Sequence, residues 1–214
     1  MKKGFLFFVC LGLYGSVCLG QNEKYVKAME ANIAAMDTSH AMESLQKVSN
    51  VFERIGGKEA KEWLPNYYVA YCQAMMVNFE PNTEKWGDFC DKGDKFIALA
   101  DSLNPHNSEV EVVKSMLAGA RIRINPMMNG MKYGGIANQA IEKAIMLNAE
   151  NPRAYLQRGI SLFYTPEMFG GGKDKAMPVL EMAGKKLTAF KPASSIEPNW
   201  GKGAYDFIMG EASK

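Results

Sequence analysis

A glycine followed by a lysine is a common grip on phosphate, and this chain has one at Gly172–Lys173 within PEMFGGGKDKAMPVL. A phosphate loop of the G-x-x-x-x-G-K-[ST] type follows a strand, carries an earlier glycine, and ends in a hydroxyl residue that holds magnesium. Glu167 stands where that earlier glycine belongs, and Asp174, which repels phosphate, replaces the hydroxyl. The preceding YLQRGISLFY has helical spacing. A turn between two helices explains more of the stretch. Pro166 stops the first helix, the glycines permit positive φ and close backbone passage, and Phe169 is placed to plug the turn.

Other reactive residues are few. The two histidines, His40 and His106, stand at expected helix starts, and no HExxH, C-x-x-C or G-x-S-x-G pattern occurs. No catalytic residue, metal site or cofactor is therefore expected. Met127, Met128 and Met131 cluster; thioethers bind Cu(I), but they also fill irregular gaps, and the second role is the ordinary one. Cys72 and Cys90 flank Pro81 at nine residues on either side, which puts them at one level of an antiparallel helix pair. A disulfide and a pair of buried free thiols both fit that placement.

The elements that must position these residues are helices. Apolar residues recur at three and four, as in Val48, Val51, Phe52 and Ile55, and no alternating strand pattern appears. Turn residues divide the chain into helices near 23–36, 40–55, 59–78, 84–103, 108–123, 136–148, 152–164 and 173–190, with a short one at 202–210. Ser108 with Glu111 has capping-box spacing, and RINPMMNGMKYGG is read as a long loop. Short loops between such helices imply antiparallel neighbours.

The first twenty residues differ from the rest. Lys2 and Lys3 precede an apolar run from Gly4 to Tyr14, then small residues, which is the layout of a secretory signal peptide cut between Gly20 and Gln21. A lipid anchor on Cys18 is the rival reading, and Val17 is larger than a lipobox prefers. Cleavage removes two of the 25 basic residues and no acid, leaving 23 of each sign. A formally neutral chain with no basic patch is a poor ligand for nucleic acid. No later run is long and apolar enough to span a membrane. The chain is expected to be exported to the periplasm of a bacterium.

AIMLNAENPRAYLQRG resembles the junction between tetratricopeptide (TPR) repeats, through Ala144, Leu147, Asn148 and Ala149, then Tyr155 and Gly159. A small–apolar–small signature recurs at Ala41, Leu45, Val48; Gly93, Ile97, Ala100; Ala137, Ile141, Ala144; and Ala176, Leu180, Ala183. FGGGKDKA is similar to a turn in bacterial TPR-like proteins related to the T component of TRAP transporters. These resemblances imply an all-α, TPR-like right-handed superhelix of antiparallel helix pairs. Its units would span about 23–56, 59–103, 108–148 and 152–190, longer than the family's usual repeat, with a C-terminal cap at 191–214. In that register the first helices line a concave groove bearing Tyr67, Tyr71, Met75, Val112, Met116, Leu156, Ile160 and Tyr164. Such a groove suits a protein or peptide partner, or else a small apolar ligand handled for a transport system. An enzyme on a helical scaffold is the third reading, and nothing nominates its residues.

Overall fold

The computed structural model describes residues 14–214 apart from His40, with side chains from Glu23 onward. The charged and apolar parts of the expected signal peptide up to residue 13, and His40, lie outside the described residues. Among those described the architecture is all-α, without strands: α1 (Tyr14–Asp37), α2 (Met42–Lys58), α3 (Leu64–Met76), α4 (Trp86–Leu103), α5 (Ser108–Ile124), α6 (Pro126–Leu147), α7 (Pro152–Tyr164), α8 (Lys173–Ala189) and α9 (Lys202–Ala212).

Local chemistry sets the helix starts. Asn107, Asn125 and Asn151 each accept backbone N–H bonds from the first turns of α5, α6 and α7. Prolines occupy the opening turn of α3, α6 and α7, where no intrahelical N–H is needed. Two expectations change here. Ser108 is not half of a capping box: Asn107 caps the helix, and the Ser108 hydroxyl donates to Ala144 O at 2.8 Å. Nor is 124–135 a loop, because α6 begins at Pro126 and runs through it. Tertiary contact explains the second difference. The Asn129 side chain donates to Arg121 O at 2.7 Å, and the Tyr133 ring lies 5.6 Å from the Arg121 guanidinium. Packing on α5 thus holds a glycine-rich stretch that has little helix propensity of its own.

Consecutive helices pack side by side, and their short connections make them antiparallel. The most extensive pairings are α5 with α6 and α7 with α8; α3 also touches α5, and α5 touches α7. The first helices of successive pairs therefore share one face. Equivalent positions recur at a separation of 44 residues, as between Glu109 and Arg153. Close approach follows from small residues: a Cβ on Gly159 would lie 2.5 Å from Leu180 Cδ2. The main core joins α1 to α5 around Phe52, Tyr67, Tyr68 and Leu117, and a second core around Leu156, Leu180 and Ile208 joins α7, α8 and α9.

The GGG stretch is a turn. Gly171 N donates to Pro166 O and Gly172 N to Leu162 O, so both amides are spent on backbone carbonyls. A Cβ on Gly171 would meet Thr165 O at 2.1 Å, and Gly172 has φ 104°. Phe169, expected beneath the turn, stands outside it at 72% exposure.

Candidate functional site

The face shared by α3, α5 and α7 carries the eight residues expected to line a groove. Tyr67, Tyr71, Val112 and Leu156 are buried; Met75, Met116 and Ile160 are half-buried; Tyr164, at the far end of α7, is exposed. The helices thus bring together Tyr67, Tyr71, Val112, Met116 and Leu156, but an open groove does not result. The chain's own segment 190–201, between α8 and α9, lies over them.

That segment is irregular, and its side chains make its attachments. Phe190 stacks over the Arg153 guanidinium at 4.3 Å. Ile196 is buried, and its carbonyl accepts from the Tyr68 hydroxyl at 2.9 Å. Trp200 Nε1 donates to the Tyr67 hydroxyl at 2.8 Å, and its ring lies 4.5 Å from that of Tyr71. Trp200 also packs against the buried cluster of Val112, Ala144 and Ala154, while Gly201 passes close to Leu156 and Arg153 with φ 122°. Trp200, within the C-terminal cap expected at 191–214, thus lies on the first-helix face and not at the end of the stack. The residues that cover α7 and α8 there are instead Tyr205, Ile208 and Met209 of α9.

Beneath the segment lies a polar cluster that the sequence reading did not single out. Arg153 is 2% exposed and grips Glu109 through Nε and Nη2 at 2.6–2.9 Å. The Tyr67 hydroxyl donates to Glu109 Oε2 at 3.3 Å. Burial works against the Arg153 charge, but the hydrogen bonds and field of Glu109 outweigh it and raise its pKa. Tyr67 is held protonated, first by burial and then by Glu109. Arg153 Nη1 and the Tyr25 hydroxyl are buried without a hydrogen-bond partner among the described residues. Glu197, on the segment, is pushed upward by burial and by Glu109, with Arg153 partly offsetting both. A signal for this pair existed in the sequence. Asn107-Ser108-Glu109 and Asn151-Pro152-Arg153 open equivalent helices, and the third position of each carries an opposite charge.

The remaining candidates hold no reactive centre. Cys72 and Cys90 are buried free thiols, so the disulfide alternative is not realised. Burial pushes both thiols up, Cys90 to about 11. Among the described residues no group of three His, Cys, Asp or Glu side chains could hold a metal. Met127, Met128 and Met131 project from the first turns of α6 and are exposed rather than packed. A depression between α8 and α9, lined by Glu181, Lys185, Thr188, Lys202 and Tyr205, is open and partly charged. No described helix is long and apolar enough to cross a membrane.

The described residues thus form an all-α stack with an aromatic face over which the chain's own segment lies. No protein-family model and no curated protein matches the chain. Among solved structures it is similar to the HusA haemophore from Porphyromonas gingivalis, with a TM-score of 0.80 and 31% identity over 88% of this chain and 92% of that one. The chain belongs to the family of that haemophore. The tetratricopeptide and TRAP T-component likenesses rest on their short stretches alone, and the all-α fold they implied is present.

Proposed function

We propose that this protein is a non-catalytic carrier that binds a tetrapyrrole of the haem class on the face of α3, α5 and α7. The observation that carries this reading is the likeness to a haemophore over 92% of that protein's length at 31% identity. The residues agree with it. A flat, largely apolar ring with carboxylate edges needs aromatic and thioether surface beside a cation, and Tyr71, Met75, Met116 and Arg153 belong to one face. The signal peptide reading fits a carrier that works outside the cytoplasm, in the periplasm.

A second reading keeps the same face for a protein or peptide partner. Its support is the segment 190–201, which lies across the face as an extended peptide would.

The test is titration of haem into the mature chain, followed through the Soret band. The expected outcome is a saturable shift at about micromolar haem or below. A spectrum matching haem in buffer with an unrelated protein overturns the tetrapyrrole reading.

A further inference from the structure

We propose that segment 190–201 is a built-in occupant of the ligand site, and that a flat aromatic carboxylate takes the place of the Trp200 ring, lying against Tyr71 and giving a carboxylate to the unpartnered Nη1 of Arg153. This rests on the tetrapyrrole reading and adds where the ligand goes and what must move.

Three independent features meet at this place. The first is chemical. Arg153 is 2% exposed and spends Nε and Nη2 on Glu109, yet Nη1 has no acceptor among the described residues. A buried donor left unpaired is costly, and a charged one more so. A ligand carboxylate would satisfy it with a charge-assisted bond. The second is shape. Trp200 is a flat aromatic ring 4.5 Å from Tyr71, packed, as Met116 is, against the cluster of Val112, Ala144 and Ala154, and 5.9 Å from the Arg153 guanidinium carbon. It presents to this face the kind of surface a porphyrin edge presents.

The third is that side chains, with few backbone bonds, hold the segment. It has no regular structure, and Pro192 and Pro198 contribute no N–H. Between its ends it makes one backbone–backbone bond, Glu197 N to Ser194 O at 3.3 Å, and the Ile196 carbonyl accepts from Tyr68, while Phe190 N donates to Lys186 O of α8 and Gly201 O accepts from Tyr205 N of α9. Glu197 sits near Glu109, while the nearby cation Arg153 is already paired with Glu109. Segments of this kind open locally at small cost. α8 and α9 hold its two ends, and α9 is anchored separately through Ile208. The segment can lift as a handle without unfolding either helix.

A face that is free for about a tenth of the time binds about tenfold more weakly than one always free. Trp200→Ala should therefore bind haem about tenfold more tightly than the parent chain, with unchanged far-ultraviolet circular dichroism. In that background Arg153→Lys keeps a cation for Glu109 but loses the second arm. It should weaken binding of the dicarboxylate about tenfold and leave binding of haem dimethyl ester unchanged. In the parent chain, haem should speed amide exchange in 193–201 while α9 stays protected; this measurement needs no variant.

Haem binding to the parent with exchange in 193–201 unchanged or slowed overturns the displacement and leaves the tetrapyrrole reading standing. Equal loss of acid and ester binding in Arg153→Lys overturns the carboxylate contact. Failure of both the parent and Trp200→Ala to bind haem overturns the proposal together with the reading beneath it. Binding by Trp200→Ala alone supports both.

Discussion

Glu109 and Arg153 form an ion pair beneath the segment, and their energetics are those of a buried pair. Two charges out of water offset their desolvation only while each has the other. Glu109→Gln leaves the Arg153 guanidinium, 2% exposed, without its counter-charge. The expected cost is about 3 kcal/mol, read from the urea midpoint at neutral pH. The double variant Glu109→Gln, Arg153→Met should recover part of that loss, since it removes the stranded charge. The two cysteines behave in the opposite way. Each is a buried, neutral thiol held protonated by its surroundings, and each serves as a small apolar side chain in the seam of α3 and α4.

At the scale of elements, segment 190–201 brings the Glu197 carboxylate against the first-helix face, and its docking there should depend on pH. Glu197 faces Tyr25 of α1, Tyr68 of α3, Glu109 of α5 and Arg153 of α7. Burial and then Glu109 raise its pKa above the ordinary 4.5. The docked segment therefore binds the Glu197 proton more tightly than the released one does. This contribution to docking is fully present below pH 4.5 and is lost as pH rises through the raised value. Glu197→Gln removes the dependence. At pH 7 the variant should show several-fold slower amide exchange in 193–201 than the parent, and at about pH 4 the two should agree. Equal exchange at both pH values would show that the carboxylate does not oppose docking.

For the whole molecule, the stack of helix pairs and the N-terminal segment make separate statements. α1 runs from Tyr14 across the Gly20–Gln21 bond to Asp37, and Tyr25, Met29, Asn32 and Met36, which follow that bond, are buried. Cleavage there keeps these four residues in the chain. Chain purified from an exporting bacterial host should begin at Gln21, and its intact mass should show no lipid. A mass retaining residues 1–20, or one carrying acyl chains at Cys18, would overturn the signal-peptidase reading. Carriage of haem by this mature form is the whole-molecule property on which the proposed function stands.

Much of the helical order was legible because it is written in local chemistry. The breaks at Pro81, Pro105 and Pro152 and the apolar stripe Leu45, Val48, Phe52 act through neighbours in the chain, and α4, α5, α7 and α8 fall within about two residues of their expected bounds. The GGG turn was legible for the same reason, since missing side chains are visible in any sequence. The first half of α6 was not, although its second half was expected as a helix near 136–148, because glycines and a proline read as breakers until α5 packs against them. The fate of the groove was not legible either. The tetratricopeptide resemblance implied that Tyr67, Tyr71, Val112 and Leu156 share one face, but the residues that cover them come from far along the chain, 128 residues on from Tyr68 at Ile196 and 133 from Tyr67 at Trp200. Pattern within a helix reports which side is apolar. Only the folded chain decides what that side meets, because contacts at such separations depend on the path of every element between them.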